Sequence, residues 1–142
     1  MEIMNWKKFF IAFVAAFIFI FLWGWIYNGV LLKDIYAQTQ SLWRPRAETM
    51  SLFHWIILGQ AGLAFVFVMI YSSGFAGGGV AAGIKLGIML ELLAISMRFM
   101  IYATQPLPAE LLVLWSIGGF IEMIVTGAIV GAIYKPAAAQ TS

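Results

Sequence analysis

A chain of 142 residues that is 63% hydrophobic and only 10% charged departs sharply from a soluble domain, where the shares are roughly 45–50% and about 25%, and reads as an integral membrane protein. Its lack of cysteine excludes a disulfide framework and a thiolate metal or redox centre. The net charge of +2 comes without a long basic run or an aromatic-interleaved basic face, which leaves no case for a nucleic-acid partner.

Four apolar stretches, about 9–32, 52–71, 80–103 and 107–134, reach the roughly 20 residues that a helix needs to cross a hydrocarbon core of about 30 Å. The first follows Lys7 and Lys8 as a signal peptide would. Its apolar run is longer than an h-region and no A-x-A site follows, which predicts a retained helix. Backbone inside a bilayer must satisfy its own hydrogen bonds, so four such spans predict an all-α integral membrane bundle of four transmembrane helices, forming one domain over 1–142.

The connections fit that count. "KDIYAQTQSLWRPRAETM" (33–50) is the one connection long enough to lie on the membrane surface or touch a partner. "SSGFAGGGV" (72–80) reads as a glycine-rich turn and carries no Lys-Ser/Thr that would make it a phosphate cradle. "TQPLP" (104–108) is a tight turn whose prolines stop one helix and start the next. A short tail, 136–142, closes the chain. Lys7, Lys8, Lys85 and Lys135 fall at one membrane face, and Lys33, Arg44 and Arg46 at the other. This slight bias predicts both termini in the cytoplasm of a bacterial inner membrane, with insertion in both orientations left open. Trp6, Tyr71 and Tyr134 read as aromatic anchors at one interface, and Trp23, Trp25, Trp43, Trp55 and Tyr102 as anchors at the other.

The third span, "IKLGIMLELLAISMRFMIYA", carries Glu91 and Arg98, each costing at least a few kcal/mol at the bilayer centre. Seven residues apart, they share a helix face at about 10.5 Å along the axis. That separation argues against a direct ion pair within the helix and requires a partner elsewhere for each. Folding the hairpin symmetrically about Pro106 and Leu107 places Glu91 level with Glu122, Arg98 with Trp115 and Glu110 with Ala103. Gly79, Gly83 and Gly87 recur at spacing four with Glu91 as the next step. In the fourth span Gly118, Glu122 and Thr126 form one stripe, and Gly119, Gly127 and Gly131 a second close-packing face. Glu91 and Glu122 therefore read as polar glue between helices, as a coupled pair sharing a proton or cation in a transport path, or as one acid pairing Arg98 while the other meets a partner subunit.

His54, near the start of the second span, reads first as an interfacial histidine beside Trp55. The sharper alternative is a ligand to a metal with a carboxylate, or to a haem or chlorophyll magnesium. No metal cluster or cofactor is specified by the sequence. Asn28, Gln60 and Thr126 are ordinary interhelical hydrogen-bonding groups.

"NGVLLKDIYAQTQSLWRPRAETM" and the terminal "GAIVGAIYKP" resemble, over most of the chain, a family of short bacterial four-helix integral membrane proteins of unknown function, in which a GVLL helix end, an LWRP loop and a closing IYKP recur. The resemblance implies a fold and a compartment but no activity. Family members often carry histidine where this chain has Asn28, a departure that argues against carrying a ligand role over to that position.

No nucleophile and base can be named, so enzymatic activity is not expected. The leading expectation is a non-catalytic accessory or structural subunit of a larger membrane complex, in contact with lipid and with other membrane subunits or a second copy. The alternative is a small proton- or cation-coupled transporter acting as a homodimer through Glu91 and Glu122. Its size and helix count resemble the small multidrug exporters, although the motifs of that family are absent.

Overall fold

The computed structural model describes residues 4–136, which contain helices and no strand. The expected tail therefore lies outside the described residues beyond Pro136. Helix α1, Trp6–Ile26, starts at Asn5, whose side-chain oxygen accepts from the Lys8 N–H at 3.2 Å and satisfies one of the free donors of a first turn. It runs on into a wider π-helical turn, Tyr27–Leu31, marked by a 2.9 Å bond from the Leu32 N–H to the Tyr27 carbonyl five residues back. Three further spans follow: α4 Phe53–Gly74, α5 Gly79–Thr104 and α6 Ala109–Ile133. All four are long and apolar enough to cross a membrane.

The segment between the first two spans is more structured than a surface loop. It holds two one-and-a-half-turn helices, α2 Lys33–Gln38 and α3 Arg46–Ser51, joined through a 3₁₀ turn at Gln40–Leu42. Pro45 sits just ahead of α3 and Glu48 lies in its first turn, where a negative charge is favoured. The glycine-rich connection is shorter than its composition suggests. Helix α4 persists to Gly74, a 3₁₀ turn occupies Ala76–Gly78, and Gly79 opens α5 at φ +59°, a backbone region that side chains disfavour.

Two small-residue faces clamp α5 to α6. A Cβ at Gly83 would run into the Gly127 carbonyl, one at Gly87 into the Met123 carbonyl, and one at Gly131 into the Gly79 carbonyl. Without side chains the two backbones touch directly, which is how helices associate where lipid supplies no hydrophobic drive. Helix α6 then packs on α1, with Gly118 receiving the Tyr27 ring, and α1 packs on α4. Neighbours therefore run α4, α1, α6, α5. Helices α4 and α5 have no extended contact with one another, although the Tyr71 hydroxyl donates to the Gly79 carbonyl at 2.9 Å where they connect.

The main apolar cluster lies toward the end that holds both termini, assembled from Phe9, Ala16 and Ile20 of α1, Phe67 and Val68 of α4, Leu86 of α5 and Val130 of α6, while Leu32, Leu107 and Leu111 are buried at the other end. Tyr71 and Tyr134 belong to the main cluster. Both are fully buried with rings 6.0 Å apart, and the Tyr134 hydroxyl accepts from the Asn5 N–H. They tie the chain ends together and do not anchor an interface, because each hydroxyl finds a backbone partner inside the protein. Trp6, Trp25, Trp55 and Tyr102 are exposed, as interface residues would be.

The backbone contact makes a direct prediction. Gly83→Ala or Gly127→Ala must push the α5 and α6 backbones apart and lower stability in detergent by about 2 kcal/mol or more, in the range of overpacked cores. Gly62→Ala, inside α4 with nothing within 4 Å of the added methyl, costs no stability and gains up to about 1 kcal/mol of helix propensity. Thermal or SDS-induced unfolding of the three variants measures the difference.

Candidate functional site: a charged cavity within the span

The glycine ladder sets the register of the α5/α6 hairpin and thereby the position of its charges. Because Gly79 faces Gly131, Gly83 faces Gly127 and Gly87 faces Met123, the next step sets Glu91 on Gly119, where an added Cβ would meet the Glu91 carboxylate. The symmetric fold-back that paired Glu91 with Glu122 is thus displaced by three residues, nearly one turn or about 4.5 Å. The same displacement takes Arg98 away from the level of Trp115 and Glu110 away from that of Ala103. Backbone contact at the glycines decides the register, and the proline turn accommodates it.

A second correction concerns the ion pair. Arg98 Nη1 donates to Glu91 Oε1 within the one helix. Side chains on a helix lean toward its N-terminus, so the arginine, which lies C-terminal to the acid, reaches back along the face and spans the gap that axial rise alone seemed to forbid. Glu91 is 1% exposed and the Arg98 side chain 21%. The acid is sealed against α6 while the guanidinium keeps an edge open.

Glu122 is half-buried, lies within electrostatic reach of both Glu91 and Arg98, and has no ion pair of its own among the described residues. All three line one cavity of about 410 Å³, together with Trp23, Tyr27 and Trp115. Exposed Leu63 of α4, and Leu93 and Met97 of α5, border it, so its mouth lies in the gap that α4 and α5 leave between them. Two carboxyl groups against one guanidinium leave the cavity with one acid more than Arg98 pairs. It can accommodate a cationic group or share a proton between the acids.

Aromatic groups brace the opposite wall. The Trp23 indole donates to the Gly118 carbonyl at 3.1 Å and the Tyr27 hydroxyl to the Leu114 carbonyl at 2.7 Å, pinning α1 to α6. From Trp115 a chain of bonds leads outward. Its indole donates to the Tyr36 hydroxyl at 2.7 Å, that hydroxyl donates to Asn28 Oδ1 at 2.8 Å, and Asn28 Nδ2 donates to the Gly24 carbonyl at 3.1 Å. Burial lifts the Tyr36 phenol above the usual tyrosine range, with the Trp115 bond opposing and Tyr27 adding, which keeps it a neutral donor. Asn28 lines this cavity, a neighbouring one of about 310 Å³ against α4, and a third at the membrane surface. The sequence pattern assigns Asn28 to ordinary packing, gives Trp115 only a depth level with Arg98, and gives Tyr36 no role. The tertiary role of Asn28 depends on the π-helical turn, which no residue pattern announces.

The remaining candidates stand apart. His54 is exposed beside Trp55, ring centroids 5.4 Å apart, and lines none of the three cavities. Among the described residues no group of three His, Cys, Asp or Glu gathers that could hold a metal ion. Thr126 is fully buried with its hydroxyl oxygen unpartnered, and so is the side-chain oxygen of Gln60, whose amide nitrogen packs on Gly24. No family model, curated protein or solved structure matches the chain.

Breaking the ion pair on one side strands a buried charge. Arg98→Leu is expected to cost about 3–5 kcal/mol in detergent, and the Glu91→Leu/Arg98→Leu double variant to recover most of it. A double-mutant cycle by reversible unfolding measures the coupling; strict additivity would remove the pair from the account of stability.

Proposed function

We propose that the protein is a non-catalytic accessory subunit of a bacterial inner-membrane complex, and that the gap between α4 and α5 receives a transmembrane helix of another subunit. One observation carries this reading: Glu122, without an ion pair among the described residues and adjoining the Glu91–Arg98 pair, lines a cavity whose mouth lies between two spans that do not close on each other. Charge at that depth costs at least a few kcal/mol against lipid. A helix bringing a lysine or arginine opposite Glu122 would give that acid a partner and cover the mouth. The resemblance to short bacterial four-helix proteins supports the same compartment.

A second reading, proton- or cation-coupled carriage by a homodimer through Glu91 and Glu122, has its own support. The cavity volume falls within the range of small-ligand sites, and Asn28 borders both it and the cavity at the membrane surface, a route by which a small cation would travel.

Tagged full-length protein extracted in mild detergent distinguishes the two. The accessory reading expects a stoichiometric membrane partner that crosslinks to Met97→Cys at the mouth, with recovery falling severalfold in Glu122→Gln while the chain's own yield holds. A homodimer without other subunits, taking up protons when substrate is added, would replace it with the carrier.

Lysine placement supports both termini in the cytoplasm. An impermeant thiol reagent applied from outside is then expected to label Ser41→Cys and spare Ser73→Cys. Equal labelling of both would mean dual insertion.

A further inference from the structure

At the end of the bundle opposite the termini, α2, the turn at Gln40–Leu42, α3 and the ends of α1 and α4 line a third, open cavity of about 1010 Å³. Its lining holds Lys33, Arg44 and Arg46 and not one carboxylate. Arg44 is engaged by Glu48 four residues on, whereas Lys33 and Arg46 are exposed and have no ion pair among the described residues. Both remain available to an anion.

The same lining holds an aromatic and apolar part. Trp43 donates its indole N–H to the Thr39 hydroxyl at 2.9 Å and packs edge-on against Tyr36 and Trp115, with centroids 5.5 and 6.0 Å apart. Ile56, on the first turn of α4, lines the cavity and is exposed beside it. The spans end at Leu31 and begin again at Phe53, and the lining residues fall at or between these ends, which sets the cavity at headgroup depth.

We infer that this cavity is a binding site for an anionic phospholipid, with the headgroup phosphate between Lys33 and Arg46 and the acyl region against Trp43 and Ile56. Clustered lysine and arginine at a membrane surface attract anionic lipid headgroups. A free phosphate would use the charges alone and leave the aromatic wall without a role. A zwitterionic lipid would bring its own cation against three basic side chains. An anionic lipid matches both halves of the lining, and the inference stands whether the intramembrane cavity receives a helix or a cation.

Native mass spectrometry of the full-length protein in uncharged detergent tests this, using dioleoyl phosphatidylglycerol, dioleoyl phosphatidylcholine and inorganic phosphate as probes. Phosphatidylglycerol is expected to be retained about tenfold better than phosphatidylcholine. That preference is lost in Lys33→Gln/Arg46→Gln and kept in Lys7→Gln/Lys8→Gln, which removes the same charge at the opposite face. Because the substituted lysine and arginine are exposed, circular dichroism and elution volume are expected to be unchanged. Equal retention of the two lipids, an equal loss in both double variants, or displacement of phosphatidylglycerol by equimolar phosphate would each overturn the assignment.

Discussion

Direct contact between the backbones of α5 and α6, at Gly83 on Gly127 and at the steps on either side, fixes more than one interface. It allows these two helices to approach as closely as helices can, and it locks their longitudinal register. In lipid, where apolar side chains gain little by leaving one apolar surface for another, such contact is among the few forces available to hold helices together. Glu91 sits on the same ladder as its fourth step, so the contact that packs the hairpin also delivers a carboxylate to Gly119. The acid occupies a place that any side chain at 119 would fill.

From this clamp the two ends of the bundle diverge in character. Toward the termini the helices close on a continuous apolar core in which two tyrosines bond backbone groups of neighbouring segments. Toward the other face the helices separate enough to leave space, and the polar groups concentrate there: the Glu91–Arg98 pair, Glu122, and the chain from Trp115 through Tyr36 to Asn28. The stability of the first end makes the second tolerable. Buried charge and an open mouth would be hard to hold in a bundle without a firmly packed end.

Much of the fold could be read from the sequence because its signals are local. Span length and glycine spacing depend on residues a few positions apart, and the four helices stand where these place them. Register could not be read in the same way. A symmetric turn at Pro106 and Leu107 was a reasonable expectation, yet glycines some twenty residues away on each arm overrule it, and only their partners reveal by how much. The ion pair was missed for another reason: residue spacing measures axial distance, while side chains lean, and a long arginine leaning back covers what the rise of the helix does not. Asn28 illustrates the limit. Its place beside three cavities follows from a single wide turn and from Tyr36 folding back over it, neither of which leaves a mark in composition or periodicity.

That wide turn, Tyr27–Leu31, also bears on the history of the chain. A π-helical turn is equivalent to one residue inserted into a regular helix, and such turns tend to occur at functional sites. Removing one residue there would restore an ordinary helix and rotate everything beyond it by about 100°, taking Tyr36 out of line with Asn28 and Trp115. Related chains that keep the Trp115–Tyr36–Asn28 connection should therefore keep the extra residue, and those that lack it should align with a one-residue gap near Tyr27. The length of α1 would then mark which descendants retain the hydrogen-bonded link from Trp115 through Tyr36 to Asn28.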